Sequence, residues 1–297
     1  MHTVEALVRG RIMVTSDKLI VRPKASSTGQ TISFTPDSVG WDDLGFTHRK
    51  LRKSEHFSAN TGQTEVAIVV LGGRCSVESS AGSWNDFGRR ANVFDGVAYT
   101  LYLPIQVEYK LQAETDCEIA LCSCPAKRSF PAQLIKPDQV RVEIRGGGNA
   151  TRQVNNILMP EFAADRLMVV EVYTPAGNWS SFPPHKHEVH NPPGEVDLEE
   201  IYYYKIERPE GYAIQRVYSY DGRRDETLTV RDGELVLIPD GYHPVVAAHG
   251  YNIYYLNALA GSARSLSASL DPNYEWVTST WTEKDPRAPI AIEPAQH

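Results

Sequence analysis

The 297 residues suffice for one large domain or for two of about 150 residues each. With 41% hydrophobic and 23% charged residues the chain can bury a sizeable core, which excludes an intrinsically disordered polypeptide. A net charge of −7 and a pI of about 5.7 exclude the basic face that nucleic acid requires, and no run of about 18 apolar residues supplies a membrane span.

Met1 to Arg11 lacks the apolar core of a secretion signal, so a cytoplasmic location is expected. The four cysteines, Cys75, Cys117, Cys122 and Cys124, are then expected as reduced thiols. Short runs rich in Val, Ile, Tyr and Leu recur between turn residues, at 66–71, 98–104, 119–122, 167–173, 201–206, 213–218, 235–239 and 253–259. They predict strands, and no long amphipathic helix interrupts them. Cys122 and Cys124 share one strand face, with no second pair or His-x-His nearby, and read as small buried hydrophobes. Residues 125–139 carry three prolines and little periodicity, and read as a linker between two all-β barrels. The expected division is 1–130 and 131–297. The Gly146-Gly147-Gly148 run lacks the Lys-Ser/Thr of a phosphate-binding loop and predicts a turn. Beyond Leu270 the tail holds Trp276 and Trp281, and is expected to pack back onto the body because exposed tryptophans are uncommon.

The chemistry concentrates in the second half. In Ser181-Phe-Pro-Pro-His185-Lys-His187-Glu188, the two histidines point to one side of a strand and Lys186 to the other. In Leu198-Glu199-Glu200-Ile-Tyr202-Tyr-Tyr204, alternation separates Glu199 from Glu200, so only one can face the imidazoles; Glu200 is expected inward, with Tyr202 on the same face. Asp232-Gly233-Glu-Leu-Val-Leu-Ile-Pro239-Asp-Gly241-Tyr-His243 adds a third histidine after a glycine turn. Three imidazoles and one carboxylate suit a borderline-soft divalent ion: zinc first, with manganese or iron as alternatives. The competing ligands Glu188 and His190 belong to a proline-rich loop, 188–197, which reads as a lid or as an ordinary solvated loop. In the first half His48 and His56 lack His-x-His spacing.

This pattern resembles the cupin superfamily, with two departures. Glu200 follows His187 by 13 positions, where cupins have only a few, and one residue rather than two separates Gly241 from His243. Both departures, with 177–188, Leu198-Glu-Glu-Ile-Tyr-Tyr-Tyr, Gly241-Tyr-His-Pro-Val and Tyr254-Tyr255-Leu256-Asn257, are similar to the 5-deoxy-glucuronate isomerase family of inositol catabolism. Leu71-Gly-Gly-Arg-Cys, Arg89-Arg-Ala-Asn-Val-Phe-Asp95-Gly, Arg152-Gln-Val-Asn-Asn-Ile-Leu158 and Asp285-Pro-Arg extend the resemblance over nearly the whole chain. It implies two tandem cupin jelly rolls, the first without metal. It also implies isomerisation of 5-deoxy-glucuronate to 5-dehydro-2-deoxy-gluconate through a metal-stabilised enediolate.

A deoxy-uronate substrate wants a guanidinium partner. Arg216 lies in an apolar strand, as an arginine does in the related 4-deoxy-L-threo-5-hexosulose-uronate ketol-isomerases, and is the expected carboxylate partner; a solvated, outward-facing arginine is the alternative. Tyr218 shares its face, and Tyr202 and Tyr218 are the further substrate-binding candidates, each also explicable as packing. The general base is not identified by the sequence: a tyrosine, Glu226 or a metal-bound hydroxide all fit. Two other functions share the ligand set, a metal-dependent dioxygenase or decarboxylase and a non-catalytic sugar-binding regulator. Homo-oligomerisation is left open.

Overall fold

The computed structural model describes residues 19–292, so the reading of Met1 to Arg11 falls outside the described residues. Regular structure over 20–292 is β, apart from short 3-10 turns at Pro36–Val39, Pro137–Gln139 and Glu275–Thr280. No helix among the described residues is long and apolar enough to cross a membrane. The chain divides into two compact units. One comprises 22–143, 154–171 and 289–292; the other comprises 19–21, 144–153 and 172–288.

In the first of these, a six-stranded sheet runs Gln133–Ile135, Thr100–Leu103, Thr64–Gly72, Cys117–Pro125, Gly45–Leu51, Gln30–Phe34. A four-stranded sheet runs His56–Asn60, Glu108–Ala113, Cys75–Ser79, Gly82–Phe87. Alternation builds the core between them. Val66, Ile68, Val70, Leu101, Leu103, Ile119 and Leu121 from one sheet meet Cys75, Val77, Tyr109, Leu111 and Ala113 from the other. Each such aliphatic side chain, once buried, contributes roughly 1.5–3 kcal/mol. The proline-rich stretch at 125–139 is not a free connector: Leu134 packs against this core, and Gln133–Ile135 pairs with Thr100–Leu103. All four cysteines are free and buried, and burial pushes the Cys122 thiol far above its ordinary value. His48 is buried between Thr31 (2.6 Å) and Glu118 (2.9 Å), which use both ring nitrogens.

The other unit carries the histidine motif. Its larger sheet includes, in order, Ile20–Val21, Leu235–Ile238, Leu198–Ile206 and Ile253–Gly261. Its smaller sheet runs Trp179–Ser180, Val245–Ala247, Tyr212–Tyr218, Asp225–Arg231. The short strand His185–Lys186 pairs with Ser269–Leu270. The tail packs back as expected, with Lys284 Nζ donating to the Gly146 carbonyl and Asp285 accepting from Asn178. Trp276 is the exception: it stays 63% exposed, because its 3-10 turn directs it outward.

Candidate metal centre

His185, His187 and His243 each offer a ring nitrogen, and these atoms lie within 4.8 Å of one another. Among the described residues this is the one such group of three. His185 comes from the ribbon with Ser269–Leu270, and His187 follows two residues on. His243 is placed by Gly241, whose backbone is left-handed at φ +84°. A Cβ at that position would stand 2.6 Å from the Tyr218 carbonyl oxygen, so glycine alone fits. The next residue, Tyr242, exchanges two hydrogen bonds with Tyr218, at 2.8 and 2.9 Å, and these tie the His243 loop to the Tyr212–Tyr218 strand.

Glu200 sits in the larger sheet opposite Ile238 and Leu259. Its Oε2 lies 2.8 Å from His187 Nε2 and 3.1 Å from His243 Nε2. The second contact is close but misaligned, and His243 Nε2 is left as a buried polar atom without a hydrogen-bond partner. The ring orientations are fixed from behind. His187 Nδ1 lies 3.1 Å from the Leu198 carbonyl and His243 Nδ1 lies 2.9 Å from that of Gly241. A carbonyl can only accept, so both Nδ1 atoms donate and both Nε2 atoms carry lone pairs. Two oriented lone pairs, one of them on an orphaned nitrogen, and an adjacent carboxylate are a donor set a divalent cation takes.

Electrostatics agrees with that chemistry. Burial, with the neighbouring His243 and His187, holds His185 well below the ordinary imidazole value, so it is neutral. Burial would lower His187 too, but Glu200 outweighs it and the net direction is up. Burial would raise Glu200, and the neighbouring imidazoles of His187 and His243 outweigh that, holding it far below the carboxylate range.

Around the cluster lies a tyrosine layer. Tyr202 faces it, its ring 5.7 Å from that of His243 and its hydroxyl 3.0 Å from Ser181 Oγ. Tyr255 lies 4.7 Å from Tyr202, ring to ring, and Tyr204 donates to Gln215 Oε1 at 2.9 Å. Burial pushes the phenols of Tyr202 and Tyr204 well above their ordinary value and that of Tyr255 up to about 12, so all three stay protonated donors.

Arg216 is not brought to this layer. Gln215 takes the inner face of its strand, and Arg216 points the other way, where Asp225 already meets its guanidinium through two bonds, at 2.7 and 2.8 Å. Its guanidinium lies 4.0 Å over the Tyr218 ring. The Tyr218 hydroxyl donates to Asp271 at 2.6 Å. Glu226 pairs across the sheet with Val217, on the face of Gln215 and Leu228, and no described residue bonds its carboxylate. Lys186 turns away to Glu195 and Glu188. Of the competing ligands, Glu188 accepts from the Gly241 amide at 2.9 Å and His190 bonds Ser262 Oγ at 2.7 Å. The 188–197 loop folds on Glu195, which accepts the Glu188 and Val189 amides. Tyr255 and Gln215 were missed by the sequence reading; the alternation Tyr255-x-Asn257 opposite Tyr204 and Tyr202 carried the signal for the first.

The chain matches the KduI/IolB family over residues 19–277. It is 46% identical over 250 residues to a protein of Geobacillus kaustophilus named 5-deoxy-glucuronate isomerase, covering 84% of this chain and 91% of that one. The crystal structure of an IolB-like protein from Salmonella typhimurium superposes with a TM-score of 0.85 at 38% identity, over 87% of this chain and 98% of that one. Oxalate decarboxylase of Bacillus subtilis, a protein with Mn(II) centres, superposes with a TM-score of 0.59 at 12% identity, over 88% and 81% of the two chains. That likeness is of fold alone, and it is the fold of two tandem cupin jelly rolls.

Proposed function

The chain belongs to the KduI/IolB family, and from that premise we propose that it isomerises 5-deoxy-glucuronate to 5-dehydro-2-deoxy-gluconate in inositol catabolism. The observation that carries the reaction is the identity with 5-deoxy-glucuronate isomerases across most of both chains. The substrate is a small anionic sugar acid.

In this reading His185, His187, Glu200 and His243 hold one divalent ion, in the half of the chain from 131 to 297. The half expected over 1–130, described from residue 22 and extending to 143 with 154–171, holds no metal in this reading, consistent with both nitrogens of His48 being engaged. Zinc is the first expectation for three nitrogens and one oxygen, with manganese or iron as alternatives. An ion held there supplies Lewis acidity toward the aldehyde oxygen and the neighbouring hydroxyl. The chain itself must bind and orient the sugar and carry a proton from C2 to C1. Tyr202 offers a hydroxyl donor beside His243, held in place by Ser181. Protonated phenols cannot take the proton, which leaves Glu226, an unpaired carboxylate on the inner strand face, or a metal-bound hydroxide as candidates for the base.

The test is NMR of the metal-replete protein with 5-deoxy-glucuronate, run beside an oxygen electrode. The ketose should accumulate without oxygen uptake. Oxygen consumption without ketose would transfer the site to the dioxygenase reading.

A further inference from the structure

We propose that Arg152 is the specificity-determining residue that binds the carboxylate of the sugar acid. This deepens the proposed function and rests on it for the identity of the substrate. Arg152 opens the strand Arg152–Leu158 and is half-buried, yet no described carboxylate pairs with it. Its polar contacts are two backbone carbonyls, both through Nη1: Ala150 at 3.1 Å and Phe182 at 3.4 Å. Nε and Nη2 have no acceptor among the described residues. Neither nitrogen is among the buried polar atoms left without a partner, so the edge they form is open to a ligand. Arg216, by contrast, has its counterion in Asp225.

The local chain is shaped around this group. A Cβ on Gly146 would stand 2.0 Å from the Ala150 carbonyl oxygen and 2.8 Å from Arg152 Nη1, and φ there is +80°, so this glycine lets that carbonyl and the guanidinium meet. The position is beside the metal-ligand cluster. Phe182 neighbours Ser181, which bonds the Tyr202 hydroxyl, and the strand His185–Lys186 follows three residues later. The charge of Arg152 acts on His185, Tyr202 and Tyr255 together. Burial, the largest influence on Arg152, lowers its proton affinity, and Arg145 adds positive rather than negative charge nearby. A bound carboxylate would supply the missing counterion through the free Nε–Nη2 edge, the fork geometry guanidinium offers to planar anions.

The experiment compares wild type, Arg152→Lys and Arg152→Gln on 5-deoxy-glucuronate and on its neutral analogue with the carboxylate reduced to hydroxymethyl. Metal content and circular dichroism are measured on each protein. Wild type should prefer the acid. Arg152→Gln should raise KM for the acid on the order of a hundredfold, with a smaller change in kcat, and lose the preference. Arg152→Lys should fall between, keeping the charge but not the fork. Calorimetric binding of gluconate, which cannot isomerise, separates the two claims. Gluconate binding that depends on Arg152 in a protein without isomerase activity would retain the anion site and remove the proposed function. Isomerase activity with an acid preference unchanged in folded, metal-loaded Arg152→Gln and Arg152→Lys would overturn the role of Arg152, as would loss of that preference in Arg216→Gln alone.

Discussion

Gly241→Ala should loosen the His243 loop and weaken metal binding together. The left-handed backbone costs an alanine about 1–2 kcal/mol. A Cβ 2.6 Å from the Tyr218 carbonyl oxygen cannot stay, and the atom it meets is backbone, so the turn itself must move. That movement breaks the paired Tyr218–Tyr242 hydrogen bonds, worth about 1 kcal/mol each. The expected destabilisation is therefore about 3–4 kcal/mol. Gly222→Ala is the control: φ is +73° but a Cβ there would meet nothing within 4 Å, so only the backbone term of about 1–2 kcal/mol applies. Urea unfolding of the metal-free proteins reads stability, and competition with a chromogenic chelator reads metal affinity. Equal destabilisation by the two substitutions, or wild-type metal affinity in Gly241→Ala, would refute the reasoning that the turn positions His243.

Glu200→Gln should weaken metal retention in chelator competition far more than Glu199→Gln, because only Glu200 lies against the imidazoles; the reverse order would mean that the strand phase is misread. Tyr204→Phe strips Gln215 Oε1 of its donor inside the barrel and should cost about 1–3 kcal/mol in urea unfolding, and a change near zero would show that the bond contributes nothing. The buried thiols should resist a disulfide reagent at pH 8 and react as four per chain after denaturation; rapid reaction of the native protein would contradict their burial.

Much of the centre could be read from spacing alone. His185-x-His187 and the alternation Glu200-x-Tyr202 need only the period of a strand, and Gly241 before His243 carries its own steric reason. At Arg216 the choice between the two expectations is one of phase. Its strand alternates, but nothing local says whether Ala213, Gln215 and Val217 or their neighbours face inward, and the answer comes from Tyr204 bonding Gln215 across the barrel. Arg152 was quoted only as a point of resemblance, because its place beside Phe182 depends on residues 144–153 joining the unit of 172–288, a long-range pairing that composition does not reveal. The linker reading failed for the same kind of reason: prolines at 125, 131 and 137 leave room between them for Gln133–Ile135 to complete a sheet edge.

The most direct measurement of the account is the fate of the C2 proton when metal-replete protein converts 5-deoxy-glucuronate in D₂O. Ketose carrying deuterium at C1 is expected, and neither ketose nor label once the metal is removed. Ketose without label would contradict proton transfer by a base in exchange with solvent, and no ketose with any divalent ion would contradict the isomerase assignment itself.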